Sequence, residues 1–263
     1  RAQVAARLRR PGLAVVVAAM ALLVYLSTLA PTITWAHNGA DGGDLITAVV
    51  TGGIPHPTGY PTYLLLGRLF LLVPWGDAAR RLNLMSAVFA ALAVALLYHL
   101  VLRTFRLLKG RAADLRARLI AAASALAFAF SPLLWSQALI TEVYTLHAFF
   151  VALTMALLLG WVERGNHWML GAAALAFGLG LGNHVTLALL APAILLVLWW
   201  QRERLLAAGM WRVAALPLLL ALGLSVYSAL PWRAMQDPPL NWGNPQTWDG
   251  FLWLVSGKLY RRY

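Results

Sequence analysis

The chain has 263 residues, of which 61% are hydrophobic and 11% charged, and its formal net charge is +12. This composition, with a mean hydropathy of +0.72, excludes an ordinary soluble domain and predicts an integral membrane protein of the helical type. The positive charge does not indicate nucleic-acid binding, because the basic residues fall in short clusters between apolar runs, and the absence of cysteine excludes disulfides and thiolate metal sites.

The N-terminal segment predicts a retained first membrane span that starts on the inner side. Four arginines lie within residues 1–10, an apolar run covers residues 12–34, and Trp35 follows as an interfacial aromatic residue. The segment has no clear signal-peptide cleavage site. The chain begins with Arg rather than Met, and we expect it to be part of a longer protein.

Six further apolar runs bring the predicted number of spans to seven. They cover residues 83–103, 119–135, 139–162, 168–182, 185–200 and 213–231. The run 61–73 reaches only about 20 Å against a hydrocarbon core of about 30 Å, so we expect it to lie on the outer surface. This topology puts fourteen of the 21 Lys and Arg residues inside and seven outside. If residues 61–73 also crossed there would be eight spans, and the sequence leaves that arrangement open.

The prediction is therefore a single all-α polytopic domain over residues 1–263. It consists of a first span (1–35), a first outer loop (36–82), six further spans (83–231) and a second outer loop (232–263).

The first outer loop carries the densest polar chemistry. Asp41 and Asp44 precede an apolar helical stretch, where they fit a helix cap, and a carboxylate at this place is also a candidate general base for an alcohol nucleophile. His56 lies between two prolines, which is typical of a rigid turn or of a preorganised partner for a phosphate or for the acidic pair. Tyr60 follows four residues later. Asp41 and Asp44 are our candidate catalytic residues.

Polar residues elsewhere are predicted to reach the same outer face. Glu142 lies within a span-like run, where an acid usually faces a cavity or a partner, and His147 follows at a spacing that lines roughly the same side. Either the two tie helices together or they line a substrate cavity. Asn183 and His184 form a polar tip after glycines that are typical of close helix packing.

The tail after residue 231 is rich in proline and tryptophan, which is typical of a loop at the membrane interface. Arg233 and Lys258 are candidates for binding an anionic lipid headgroup, and Asn241 is a further candidate for the substrate site. The sequence lacks a phosphate-binding glycine loop, a zinc-spaced histidine cluster and a nucleophile elbow, so we predict no metal.

These residues together make the sequence resemble the family once catalogued as domain of unknown function 2723, grouped with protein O-mannosyltransferase-like enzymes as glycosyltransferase family 117. The resembling segments run nearly through the whole chain and are Asp41-Gly-Gly-Asp44, Gly53-Ile-Pro-His-Pro-Thr-Gly-Tyr-Pro61, Glu142-Val-Tyr-Thr-Leu-His147, Gly182-Asn-His184, Pro239-Leu-Asn-Trp-Gly-Asn-Pro245 and Val255-Ser-Gly-Lys258. The family pattern has Asp-Ser-Gly-Glu at the first segment and Pro-Pro after the histidine, so this chain departs from it at Gly42, Asp44 and Thr58.

The resemblance implies a GT-C fold, a polytopic helical bundle with surface-lying helices and the catalytic acid in the first outer loop. It also implies transfer of a mannose-like sugar, with inversion, from a polyprenyl-phosphate carrier to an acceptor hydroxyl outside the cytoplasm. Asp41 is then the expected base, and His56, His184 and Arg233 are expected to steady the leaving phosphate. The expected partners are membrane lipids, the lipid-linked sugar and an acceptor protein or glycan, with no cofactor beyond the donor and no nucleic acid.

The leading hypothesis from the sequence is a membrane glycosyltransferase, located in a bacterial inner membrane with its site on the outer face. A non-catalytic, GT-C-derived subunit of a larger membrane assembly is the alternative. A transporter ranks last, because most polar features lie at one face instead of at mid-membrane.

Overall fold

The computed structural model describes residues 12–110 and 114–262, so the basic head and part of the basic loop, at 111–113, lie outside the described residues. Within them the regular structure is helical, apart from one isolated bridge between Ile54 and Asn241. The α-helices are α1 (Leu13–Thr28), α2 (Gly42–Thr51), α3 (Pro61–Phe70), α4 (Ala78–Lys109), α5 (Leu115–Ala129), α6 (Pro132–Ala138), α7 (Tyr144–Arg164), α8 (His167–Leu181), α9 (Ala191–Trp200), α10 (Arg202–Ala207), α11 (Met210–Leu224), α12 (Ala229–Ala234) and α13 (Trp248–Val255). Short 3₁₀ segments are Ala36–Asn38, Val185–Leu190, Ser225–Ser228 and Lys258–Arg262.

Three helical stretches of the described residues are long and apolar enough to cross a membrane. They are Ala78–Lys109, Tyr144–Arg164 and Met210–Ala234, and the bent pair Leu115–Ala129 with Pro132–Ala138 makes a fourth if it counts as one span. The apolar helices Leu13–Thr28, His167–Leu181 and Val185–Trp200 are shorter. The all-helical class and the apolar helices agree with the prediction, whereas the number of seven spans stays a prediction.

The long helices pack side by side, with α4 against α1, α5 and α7, and α8 between α7 and α11. Helices α8 and α11 approach each other closely, since a Cβ atom added to Gly178 would lie 2.5 Å from the Leu220 carbonyl oxygen and 3.0 Å from the Gly223 Cα. Only glycine permits such contact between two helix backbones. This agrees with the predicted packing role of the glycines before Asn183.

Two predicted spans differ in the structure. The run 119–135 is broken between α5 and α6, which meet at 62°. Pro132 explains the break, because proline disfavours helical backbone in the preceding Ser131 and begins a new helix readily at its first position.

The run 139–162 is helical only from Tyr144. The backbone before it is held by other partners, since the Leu139 carbonyl oxygen accepts the Ala30 N–H at 3.1 Å and the Val143 carbonyl oxygen accepts the Asn183 side chain at 3.1 Å. Glu142 therefore lies in the turn before α7, and its prediction within a span is wrong.

Asn83, buried on α4, connects this turn to the first loop. Its amide nitrogen donates to the carbonyl oxygens of Ala30 and Thr32 at 2.9 and 3.2 Å, and its amide oxygen accepts the Thr141 hydroxyl at 2.7 Å. Buried amides need such partners, so Asn83 holds the end of the loop after α1 beside the segment that carries Glu142.

The opposite end of α4 carries basic residues. Arg106 Nη1 donates to Glu163 Oε1 at 2.9 Å, and Arg103 Nε lies 3.8 Å from Glu163 Oε2. Arg204 donates to the Val162 carbonyl oxygen at 2.5 Å. The basic end of the bundle is thus separated from the end that carries the acidic turn by the length of α4.

Candidate active site

Asp41 lies at the N-cap position of α2, but its side chain makes no capping hydrogen bond. Its backbone has φ −86° and ψ −10°, a helical conformation that differs from the extended one usual at this position. The carboxyl group is instead 49% exposed and reaches toward His56, with 3.7 Å between Asp41 Oδ2 and His56 Nε2. The cap that the sequence permitted is not made, which leaves this carboxylate available to a ligand.

Asp44 is enclosed by three hydrogen-bond donors. Its Oδ2 atom accepts the backbone N–H of His56 at 2.9 Å and lies 2.7 Å from His56 Nδ1, while its Oδ1 atom accepts the indole N–H of Trp242 at 3.0 Å. A carboxylate only accepts, so Nδ1 carries a proton in this pair. Both oxygens of Asp44 are therefore occupied by protein groups.

The other ring nitrogen of His56 faces Tyr60. Tyr60 Oη donates to the Pro57 carbonyl oxygen at 3.0 Å and also lies 3.0 Å from His56 Nε2. A hydroxyl has one proton, so when Tyr60 donates it to Pro57, Nε2 must be the donor in the second contact. The hydrogen bonds therefore fit an imidazolium with both nitrogens protonated.

The charges around His56 support this protonation state. Burial alone would lower the pKa of His56, but the hydrogen bond to Asp44 and the charges of Asp41, Asp44 and Glu142 outweigh it, so the pKa lies above its ordinary value. Tyr60 is buried, and burial raises its pKa far above the ordinary value, which keeps the phenol protonated.

Glu142 is a second carboxyl group beside Asp41 and is only 3% exposed. Burial raises its pKa, the charge of Asp41 adds to this, and the backbone N–H groups of Val143 and Asp41 oppose it, with a result of about 7. A carboxyl group with such a pKa exchanges a proton near neutral pH. Asp41 and Glu142 thus differ in their surroundings, one half-exposed and the other enclosed.

His184 faces this cluster from the turn after α8. Its ring centroid lies 5.1 Å from that of His147, 5.8 Å from that of Tyr144 and 6.3 Å from that of Tyr60. The Thr186 hydroxyl lies 2.7 Å from His184 Nδ1 and 3.4 Å from His147 Nε2. Burial lowers the pKa of His184, so this wall is polar and uncharged.

Two predicted neighbours occupy other places. His147 was expected to share a side with Glu142, but its contacts are with His184 and Thr186. Asn183 was expected to point into the site, but it is fully buried and donates to the Val143 carbonyl oxygen. Asn183 therefore supports the turn that presents Glu142.

The tail is bound to the first loop by backbone hydrogen bonds. The Ile54 N–H donates to the Leu240 carbonyl oxygen at 2.8 Å, and the Trp242 N–H donates to the Ile54 carbonyl oxygen at 3.2 Å. Asn241, a predicted site residue, forms the bridge with Ile54, while its side chain donates to Asn244 at 3.3 Å. The hydrogen bonds of this bridge come from the backbone of its neighbours Leu240 and Trp242.

Two residues absent from the predicted site lie at it. Trp242 binds Asp44, and Tyr260 donates from its hydroxyl to the Pro57 carbonyl oxygen at 3.3 Å. Trp242 lies inside one of the resembling segments, which was the available signal. Tyr260 carries no sequence signal, because its role depends on how the last 3₁₀ segment folds back.

Among the described residues, two predicted cationic residues form no ion pair with the acids of the cluster. Lys258 lines an open surface cavity of about 860 Å³ with Asp249 and Trp253. The positive charge of Arg68 acts on Arg233, and Arg68 lies against Gly52 at the far end of α2 from Asp44. At roughly 1.5 Å per residue the two ends are about 12 Å apart.

Among residues 12–110 and 114–262, no three side chains of His, Asp or Glu are grouped so that they could hold a metal ion. What the cluster offers is one half-exposed carboxylate, one imidazolium held by a second carboxylate, and a carboxyl group that titrates near pH 7.

Comparison with known proteins connects the cluster to a family. A protein named Protein O-mannosyl-transferase TMEM260 from Mus musculus is 34% identical over 224 residues, which is 81% of this chain and 30% of the mouse protein. A protein of the same name from Dictyostelium discoideum is 27% identical over 254 residues, 88% of this chain and 28% of that protein. The chain thus spans less than a third of these relatives. No solved structure matches it.

The family model that matches covers residues 41–207, from the half-exposed aspartate through α10. These findings support the O-mannosyltransferase-like part of the resemblance, while the names domain of unknown function 2723 and glycosyltransferase family 117 stay predictions. The match extends over more than half of the sequence and includes the three carboxyl groups of the cluster, Asp41, Asp44 and Glu142, together with His56 and His184. The chain belongs to the family described as the Protein O-mannosyl-transferase TMEM260 N-terminal domain.

Proposed function

We propose that this chain carries the catalytic centre of a membrane glycosyltransferase that moves a mannose-like sugar from a polyprenyl-phosphate carrier to a hydroxyl group of an acceptor protein. The observation that carries the proposal is the half-exposed Asp41 carboxylate beside His56, with the second aspartate fully occupied in holding that histidine. The names of the relatives support the sugar and the protein acceptor.

In this reaction the acceptor oxygen bonds to C1 of the sugar as the bond from C1 to the phosphate oxygen breaks. The electron pair of that bond goes to the phosphate, and the hydroxyl proton goes to the Asp41 carboxylate. Asp41 is suited to the task because its oxygens face solvent. A general base of this kind contributes roughly 10²-fold to 10⁴-fold in rate.

Asp44 acts in the proposal as the residue that positions His56. Its two oxygens are bonded to three protein donors, so it has less capacity than Asp41 to accept a further proton. His56 supplies positive charge beside Asp41, and with His184 it lines the space for the sugar and the leaving phosphate.

The proposed topology has seven spans with this cluster on the extracytoplasmic side and residues 1–263 as one membrane domain. The support is the charge distribution, since Arg103, Arg106 and Arg204 lie at the end of the bundle away from Asp41. The bacterial inner membrane stays a prediction.

The test is sugar transfer by the purified protein from polyprenyl-phosphate mannose to a Ser/Thr-containing peptide. We expect Asp41→Asn to lower the transfer rate by about 100-fold or more. Asp237→Asn is the matched control, because Asp237 is exposed and has φ +48°, a conformation that asparagine tolerates.

Equal transfer by the Asp41→Asn and Asp237→Asn proteins would remove Asp41 from the mechanism. A natural protein that neither binds the lipid donor nor transfers sugar, but copurifies with partners in fixed ratio, would favour the non-catalytic subunit.

A further inference from the structure

Arg233, on the short helix α12, is a buried cation without an acidic partner. Its residue surface is only 5% exposed. Among the described residues, no Asp or Glu oxygen lies within ion-pair distance of its guanidinium, and its Nη1 atom is buried with no hydrogen-bond partner. Burying an unpaired charge is strongly unfavourable, and an anion bound from outside the chain would offset this cost.

A second cation makes the imbalance larger. The positive charge of Arg68, an exposed residue of α3, acts on Arg233. Arg68 is folded back against Gly52, where an added Cβ atom would lie 2.6 Å from its Nη2 atom. The buried Arg233 thus has a like charge acting on it and, among the described residues, no acid within ion-pair distance, an imbalance that a bound anion would relieve.

We propose that Arg233 and Arg68 form a binding site for the phosphate group of a membrane lipid, separate from the acidic cluster. Guanidinium groups present forked N–H donors that match phosphate oxygens, and two of them neutralise a phosphate more fully than one. The site is independent of the proposed sugar transfer.

The surroundings match the headgroup level of a bilayer. Arg233 lies at the end of the apolar stretch Met210–Ala234, next to Trp232, which is 62% exposed. Exposed tryptophans at the end of an apolar helix are typical of the membrane interface, where lipid phosphates lie.

The distance along α2 separates this site from the acidic cluster. Arg68 lies against Gly52 at the C-terminal end of α2, whereas Asp44 lies in the first turn of α2. At roughly 1.5 Å per residue, Gly52 and Asp44 are about 12 Å apart along the helix axis. The charges that act on His56 are those of Asp41, Asp44 and Glu142. We therefore assign Arg233 to a second anion site rather than to the phosphate that leaves the sugar.

The experiment measures binding and stability without any transfer reaction. Protein in neutral detergent is titrated with polyprenyl phosphate, with phosphatidylglycerol and with inorganic phosphate, and binding is followed by native mass spectrometry and by the melting temperature. The variants are Arg233→Met and Arg68→Met. Arg80→Met is the matched control, because Arg80 is a cation at the start of α4 that stacks on Trp75, 4.2 Å from its ring centroid.

We expect Arg233→Met to weaken binding of the phosphate-bearing lipid at least tenfold, Arg68→Met to weaken it less, and Arg80→Met to leave it unchanged. We also expect Arg233→Met to keep or raise the melting temperature of the lipid-free protein, since it removes an unpaired buried charge. Equal stabilisation by inorganic phosphate would assign the site to free phosphate, whereas a response to the lipids alone assigns it to a headgroup.

Equal lipid binding by all three variants overturns the site. A lower melting temperature of lipid-free Arg233→Met overturns it as well, because the guanidinium would then have a stabilising partner within the chain. Loss of sugar transfer in Asp41→Asn with lipid binding intact leaves this site standing, so the two proposals fail separately.

Discussion

Replacing Asp44 with asparagine tests whether this residue holds His56 in its charged form. Asp44 accepts the Nδ1–H and backbone N–H groups of His56 and the indole N–H of Trp242. Hydrogen bonds to a charged group contribute about 1.5–3 kcal/mol each. An asparagine oxygen placed where Oδ2 lies still accepts both His56 groups, but its NH₂ group then faces the indole N–H of Trp242. One hydrogen bond is therefore lost, and the other two weaken by about 0.5–1 kcal/mol each because the acceptor is no longer charged.

Asp44 is 20% exposed, and water partly replaces the lost partners, so we take the low end of this range. The expected loss is about 3 kcal/mol of unfolding free energy, or roughly 6–12 °C in melting temperature for a chain of this size. The control Asp237→Asn is expected to change stability by less than about 0.5 kcal/mol, since it is a surface substitution without a partner to lose.

The pH dependence gives a second measurement on the same variant. The folded pKa of His56 lies above its ordinary value of 6.5, so its ionisation contributes stability that is present below pH 6.5 and lost as pH rises through the folded pKa. Asp44→Asn removes the hydrogen bond and one of the charges that oppose the lowering by burial, so the pKa of His56 falls and this contribution becomes smaller. Melting curves between pH 6 and 9 and NMR titration of labelled histidines measure both effects. An unchanged melting temperature together with an unchanged His56 titration would refute the reasoning.

Two further substitutions test the buried parts of the fold. Glu142 has a folded pKa of about 7 against an ordinary 4.5, so the natural protein is expected to lose about 3 kcal/mol of stability as pH rises from 4.5 to above 7. Glu142→Gln removes that loss and melts higher than the natural protein at pH 8. Equal melting temperatures at pH 8 would contradict the enclosure of Glu142, which is 3% exposed. Gly178→Ala pushes a Cβ atom against the Leu220 carbonyl oxygen and is expected to destabilise the protein by about 1–3 kcal/mol. Gly12→Ala is its control, since nothing lies within 4 Å of an added Cβ there, and equal melting temperatures for the two variants would contradict the close contact of α8 and α11.

Several features of the acidic cluster were predictable from local sequence. Asp41 and Asp44 stand just before an apolar helix, and His56 is held between two prolines, so their proximity follows from a short loop that returns beside the helix start. The apolar runs predicted the helical class for a similar reason, because backbone groups in an apolar environment are satisfied within a helix.

Other assignments failed because they depend on contacts distant in the chain. Glu142 was predicted within a span, yet Asn183 and Asn83 hold its turn out of the helix, and neither contact has a sequence signature. The bend between α5 and α6 had a local signal in Ser131-Pro132. The apolar run 119–135 was nevertheless predicted as one continuous span because of its length.

The sequence by itself determined that this chain is apolar and helical, and that acids and histidines gather in the first loop, because composition and short-range backbone preferences decide such properties. Only the tertiary structure decided which carboxylate is free. Trp242 reaches Asp44 across 198 positions and leaves Asp41 open, and Tyr260 reaches Pro57 across 203. The physical reason is that hydrogen-bond partners depend on position in space. The local sequence around Asp41 and Asp44 does not indicate which donor of the folded tail will lie next to which carboxylate oxygen.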